Sequence, residues 1–136
     1  MIYLVADAVS MIRDIRATGG VVGKWGGLLN IPQLLGGLLF IWTPEGAAVF
    51  ICVVVTLMIA GQIHKTTPFS RRIGICHAPW VLLLPWLIHR IMAHEHGLLL
   101  KIWLIYVAAT IAVSLVFDAR DLWLYRKGEK RFAWAK

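Results

Sequence analysis

Carboxylates are scarce in this sequence. Its 136 residues include only 7 Asp and Glu, and none of these lies inside one of the long apolar runs. Proton-coupled carriers ordinarily keep an ionisable group near the membrane midplane, so this scarcity argues against one. Charge of either sign is thin, at 15% of residues, where a soluble domain carries about 25%. With 60% hydrophobic residues and a mean hydropathy of +0.75, too little polar surface exists to cover a water-soluble globule. Cysteine is nearly absent as well. Cys52 and Cys76 form no CxxC pair and are expected toward opposite membrane faces, which argues against a disulfide between them and predicts two buried, inert thiols. No basic stretch precedes an apolar core at the N-terminus, and Asp7 interrupts the first candidate run, so a cleavable signal is not expected. The net charge of +7 comes without basic runs interleaved with exposed aromatics, which argues against nucleic acid as a partner.

What is present is four apolar segments, at 23–42, 46–63, 73–91 and 98–117. Each has close to the ~20 residues that cross ~30 Å of hydrocarbon. They predict an all-α integral membrane protein, a single domain of four transmembrane helices. Segment 1–18 reads as an amphipathic helix, with Tyr3, Asp7, Ser10 and Asp14 on one face and Ile2, Val5, Val9, Ile12 and Ile15 on another. It lies in the membrane interface or packs on its neighbours. Thr43-Pro44-Glu45 has the order of an N-cap, a first-turn proline and an acid at the positive helix end. Thr67-Pro68 repeats the first two signals, so the third span's helix is expected to start there. Residues 118–136 continue the last helix to Lys127, stop at Gly128 and end in a short basic tail.

The basic residues set an orientation. Twelve of the 14 Lys and Arg lie before or at the start of span one, between spans two and three, or after span four; only Arg90 and Lys101 lie on the other side. Positive loops stay in the cytoplasm, so both termini are expected there. Trp42, Trp86 and Trp103 fall near the outer interface and Trp25 and Trp123 near the inner one, as in an aromatic belt.

Span one carries the most informative pattern. Gly19, Gly23, Gly26, Asn30, Gln33 and Gly37 recur at three- and four-residue spacing, which gives one small or amide-bearing face. Such a face serves close helix packing or lines a polar path, and Pro32 opens the option of a broken helix. Ala48, Cys52, Thr56 and Ala60 form a similar stripe in span two, and Tyr106, Thr110, Ser114 and Asp118 another in span four.

Histidine is the remaining ionisable type. His64 and His77 flank the connection between spans two and three, and a facing pair of this kind suits haem or a metal. Pro79 frees the carbonyl near Ile75, which a histidine or water could meet. On the outer side His89, His94, Glu95 and His96 offer metal-ligand types. Interfacial histidines without any cofactor are the plainer reading of both groups. Cys76 beside His77 points about 100° away on a helix, poor geometry for a nucleophile and its base.

The stretch Thr67-Pro68-Phe69-Ser70-Arg71-Arg72-Ile73-Gly74-Ile75-Cys76-His77-Ala78-Pro79-Trp80, with Asp118-Ala119-Arg120-Asp121, resembles small uncharacterised four-helix inner-membrane proteins of proteobacteria. The resemblance covers about a quarter of the chain. It implies a bacterial inner-membrane location and directs attention to His77, Trp80, Asp118 and Asp121, with His64 nearby, as a cluster at the cytoplasmic boundary. Three functions fit these observations: a non-enzymatic accessory or structural subunit, with a protein partner or in a homo-oligomer; a small oligomeric channel or transporter lined by span one; or a haem- or metal-binding protein using the histidines.

Overall fold

The computed structural model describes residues 2–18 and 20–135. Among them the regular structure is helical: α1 (Ile2–Thr18), α2 (Val21–Leu39), α3 (Pro44–Thr66), α4 (Ala78–Ala93) and α5 (Leu98–Arg126). A 3-10 segment, Arg71–His77, runs directly into α4. Three stretches are long and apolar enough to cross a membrane: Pro44–Thr66, Arg71–Ala93 and Leu98–Arg126. The fourth helix of the bundle, α2, is not among them. Lys24, Asn30, Gln33 and its glycines dilute its leucines, although its 19 residues reach about 28 Å.

Helices α2 to α5 run alternately in opposite directions. At one end, here called the turn end, Thr43 Oγ1 accepts from the Gly46 amide at 3.0 Å and Pro44 opens α3, as the sequence order predicts. A side chain at position 46 would collide with the Phe40 carbonyl, so this two-helix turn requires glycine. Glu45, 1% exposed, accepts from Arg90 Nε at 2.6 Å and ties the start of α3 to the end of α4. The opposite, basic end holds Lys65, Arg71, Arg72, Arg120 and Arg126. The core between the ends is Leu29, Val49, Trp80, Leu83, Leu87, Leu104, Val107 and Ile111.

Helix α2 is continuous through Pro32, and α5 compensates for the break in its bonding. Proline has no amide hydrogen, so the carbonyl four residues earlier, Leu28, loses its helical donor. The Tyr106 hydroxyl donates to that carbonyl at 2.6 Å. One turn away, Trp103 Nε1 donates to the Pro32 carbonyl at 2.9 Å, and its indole fills the space left by Gly36. Trp103 thus serves as a helix-packing residue between α5 and α2. Trp25 does likewise, donating to Ser114 Oγ at 3.2 Å, while Trp42 and Trp123 remain exposed.

Two glycines let the helices approach closely. Gly37 abuts Phe50 on α3, and Gly61 of α3 abuts Ala8 of α1. The outward faces of the helices are apolar: Leu35, Ile51, Leu82 and Val116 are each more than 60% exposed. A surface of this kind suits lipid rather than water.

Helix α1 packs on the end of α3. Asp7 accepts from Gln62 and Lys65, and Asp14 pairs with His64. Those two acids lie about 10 Å apart along α1, and both are met from residues 62–65 of α3. Ala8 and Met11 are the buried residues of α1, Asp7 faces α3 and Asp14 stays half exposed, while Ile2, Val5 and Val9 point out. Thr67 does not start the next helix as its Thr-Pro order suggested. It caps the end of α3, its Oγ1 donating to Ile63 O at 3.0 Å. The following segment starts instead at Ser70, whose Oγ accepts from the Arg72 amide. Nor does a histidine meet the Ile75 carbonyl: the Ala78 amide does, through the 3-10 pattern.

Two outcomes follow. A Cβ at Gly36 would strike the Trp103 indole, whereas one at Gly26 meets no atom within 4 Å. Gly36→Ala is expected to destabilise the fold by about 1–3 kcal/mol, and Gly26→Ala to be neutral or to stabilise it by up to about 1 kcal/mol, read by thermal unfolding in detergent. Acid should separately loosen α1. Hydrogen bonds from Gln62 and then Lys65 hold the Asp7 carboxyl below its ordinary range. The stabilisation this brings is complete above the unfolded value and is lost as pH falls through the lower folded one. Amide exchange along α1 should therefore accelerate below about pH 4 before that of α4; equal protection of the two helices would contradict the assignment.

Candidate functional site: a cavity at the basic end

A cavity of about 500 Å³ opens at the basic end and reaches roughly to mid-bundle. Its walls are largely apolar, from Met11 and Ile15 of α1, Trp25 and Leu29 of α2, Leu57 of α3, Ile73 of the 3-10 segment and Phe117 of α5. Its polar groups come in two levels.

At the mouth stand a hydrogen-bonded histidine–carboxylate pair and an arginine ion pair. His77 Nδ1 lies 2.6 Å from Asp118 Oδ2, and the imidazole stacks on Trp80 at 4.0 Å between centroids. The sequence brings these together by simple means. The 3-10 segment lays Gly74 against α5, where a Cβ would come within 2.8 Å of Asp118 Oδ1. Arg71, 7% exposed, donates to Asp121 and reaches Glu129 at 3.4 Å. Deeper in, Asn30, Thr56 and Ser114 line the wall. Asn30 Nδ2 donates to the Gly26 carbonyl at 2.9 Å, while its Oδ1 and the Thr56 hydroxyl have no protein partner. Gln33, next on the same face of α2, is fully buried with neither end bonded.

The C-terminal tail roofs the mouth. Gly128, at φ +103, ends α5, with the Gly128 and Glu129 amides donating back to Tyr125 and Leu124. That geometry is a Schellman turn. The chain then returns along the α3–α4 connection: the Arg71 amide donates to Lys130 O and the Phe132 amide to Phe69 O. Phe132 stacks on Trp134 at 5.3 Å, and Trp134 meets Phe69 edge-on. Arg71 also lies over the Phe132 ring. Phe132 and Trp134 both line the cavity.

The residues singled out from the sequence are thus distributed over several environments. Of the boundary cluster, His77 meets Trp80 and Asp118, and Asp121 pairs separately with Arg71. His64 stands apart, bonded to Asp14 at 3.2 Å and edge-on to Phe69, so the two histidines are committed to different carboxylates. The span-one stripe divides in two: Gly26 and Asn30 border the cavity, Gly23 packs near Ile15 of α1, and Gly37 packs on α3. Gly19 lies outside the described residues. At the turn end His94 Nε2 is 2.8 Å from Arg90 and His96 Nε2 is 3.1 Å from the Arg90 carbonyl, while His89 meets His94 edge-on. No group of three His, Cys, Asp or Glu side chains there, or elsewhere among the described residues, gathers as a metal ion would need, Glu95 included.

Sequence reasoning passed over Arg71, Trp25 and the tail. A phenylalanine and a tryptophan within a basic tail were the available signal for the roof. Burial of Arg71 has no local signature, since its carboxylate partners lie 50 and 58 residues away. No protein-family model, curated protein or solved structure matches the chain.

Arg71 should be the clasp of the tail. Arg71→Ala leaves Asp121 half-buried and removes the Phe132 contact, a loss of about 3 kcal/mol. Trypsin cleavage at Lys127, Lys130 and Arg131 is then expected to accelerate at least tenfold, with Arg71→Lys intermediate. Unchanged cleavage in Arg71→Ala would show that the tail is held by other contacts.

Proposed function

We propose that this chain is a four-span membrane protein of the bacterial inner membrane, both termini cytoplasmic, that binds a small amphipathic molecule without turning it over. The observation that carries this reading is the cavity at the basic end. Its size falls in the range of small-molecule sites, about 300–1,000 Å³, and its apolar walls with a few placed polar groups are typical of them. Inner-membrane residence draws support from the three apolar helices, the apolar outward faces and the resemblance in the third span. The cytoplasmic position of the termini draws support from twelve of 14 basic residues standing toward the basic end or its flanking tail. On this reading α2 crosses as the fourth span and α1 lies in the inner interface.

Binding without turnover is supported by the commitment of the His77 imidazole to Asp118 rather than to a nucleophile. A pore within one chain has less support, because Leu83, Leu87, Leu104 and Val107 close the half of the bundle beyond the cavity. A docking subunit has less support at the Gly37 end of the span-one stripe, which Phe50 of α3 already occupies. For haem, the histidines expected to face each other point to separate carboxylates.

Gly26 supplies the test, because a side chain there projects into free space without moving the backbone. With the protein in phosphatidylcholine nanodiscs, Nile red is expected to show one saturable site per chain above its partition into lipid. Gly26→Phe should abolish that component while preserving the thermal midpoint. Equal saturable binding by both proteins, or none by either, would refute the cavity as a binding site.

A further inference from the structure

A second concavity lies on the outer side of α2, apart from the cavity just described. It is an open groove running from Arg16 and Gly20 past Lys24 to Leu28, Ile31 and Pro32. Gly20, Gly23 and Gly27 form its floor, and the missing side chains give it depth. The two cations sit at one end, and neither forms an ion pair among the described residues. Asp14 and Asp7, the acids closest in sequence, are engaged by His64 and by Gln62 with Lys65. The rest of the groove is apolar, with Leu28 59% and Ile31 45% exposed.

We propose that this groove holds one anionic phospholipid, its phosphate between Arg16 and Lys24 and one acyl chain along Gly27, Ile31 and Pro32. Three properties select that occupant. Polarity is ordered along the groove as in a lipid, with two positive charges at the basic end and then apolar surface toward mid-bundle. From Gly20 to Pro32 is about 18 Å of helix, comparable with one leaflet of hydrocarbon plus its interface. Two cations without an ion pair among the described residues favour an anionic headgroup over a zwitterionic one. The lipid would also cover the polar early turns of α2, the helix that is not among the candidate membrane spans.

Native mass spectrometry of the full chain, released from mixed dioleoyl-phosphatidylglycerol and dioleoyl-phosphatidylcholine nanodiscs of equal content, tests this. The wild type is expected to retain one phosphatidylglycerol at least fivefold over phosphatidylcholine. The Arg16→Gln/Lys24→Gln variant should lose that preference, while Arg72→Gln/Arg126→Gln, altered at the same end outside the groove, should keep it. Gly27→Leu, at a position where a Cβ meets only Ile31 Cδ1 at 3.8 Å, should lose retention with the charges intact, because the chain's path is filled. Glycerol 3-phosphate serves as the headgroup alone, and it should compete weakly. Full competition by glycerol 3-phosphate would mean a phosphate site rather than a lipid site and would overturn the proposal. So would unchanged preference in Arg16→Gln/Lys24→Gln, or equal loss in Arg72→Gln/Arg126→Gln.

Discussion

A proline in the middle of a helix leaves a carbonyl without its donor, and in an apolar setting that group must find another. Here the donor is the Tyr106 hydroxyl, 2.6 Å from Leu28 O, with the Trp103 indole bonded one turn further on. Much of the bundle follows from this pairing. It fixes α2 against α5 in depth and rotation, and it directs the opposite face of α2, with Asn30, Gln33 and Gly37, toward α3. Helix α2 is the one of the four that is not long and apolar enough to count as a candidate membrane span. Specific bonds to its broken backbone supply what its side chains do not.

The same register creates the cavity. Large side chains from α3, α4 and α5 fill the turn-end half of the bundle. Toward the basic end α2 presents Gly26 and Asn30 instead of leucines, and α5 presents Ser114 and Asp118. The space this leaves is not closed by the four long helices themselves. It is closed by α1, packed on α3 through Ala8 on Gly61, and by the tail, held on Arg71. A buried arginine shared by Asp121 and Glu129 thus connects the end of the longest helix, the 3-10 segment and the roof of the site. The His77–Asp118 pair beside it depends on Gly74 for its close approach.

Much of the fold was legible because it rests on local signals. The Thr43-Pro44-Glu45 start, the Gly128 stop and the apolar runs each act within a few residues. Contacts at long range were not legible. Trp25 and Trp103 occupy positions suited to a membrane interface, and only the partner helix reveals that they turn inward to a hydroxyl and a carbonyl. Thr67-Pro68 has the order of a helix start but ends α3, because α3 continues through Thr66 and proline terminates as readily as it initiates. Of the candidate site, the proximity of His77, Trp80 and Asp118 was foreseen. The separation of His64 was not, because α1 supplies Asp14 from across the end of α3.

The most direct test of this account is a double-mutant cycle on Pro32 and Tyr106, read as unfolding free energy in detergent. Restoring an amide with Pro32→Ala gives Leu28 O its helical donor back. Tyr106→Phe should therefore cost about 1–2 kcal/mol when proline is present and close to nothing when alanine is. If Tyr106→Phe costs the same in both backgrounds, the tyrosine is not serving the carbonyl that proline leaves free, and the account of how α2 is held fails.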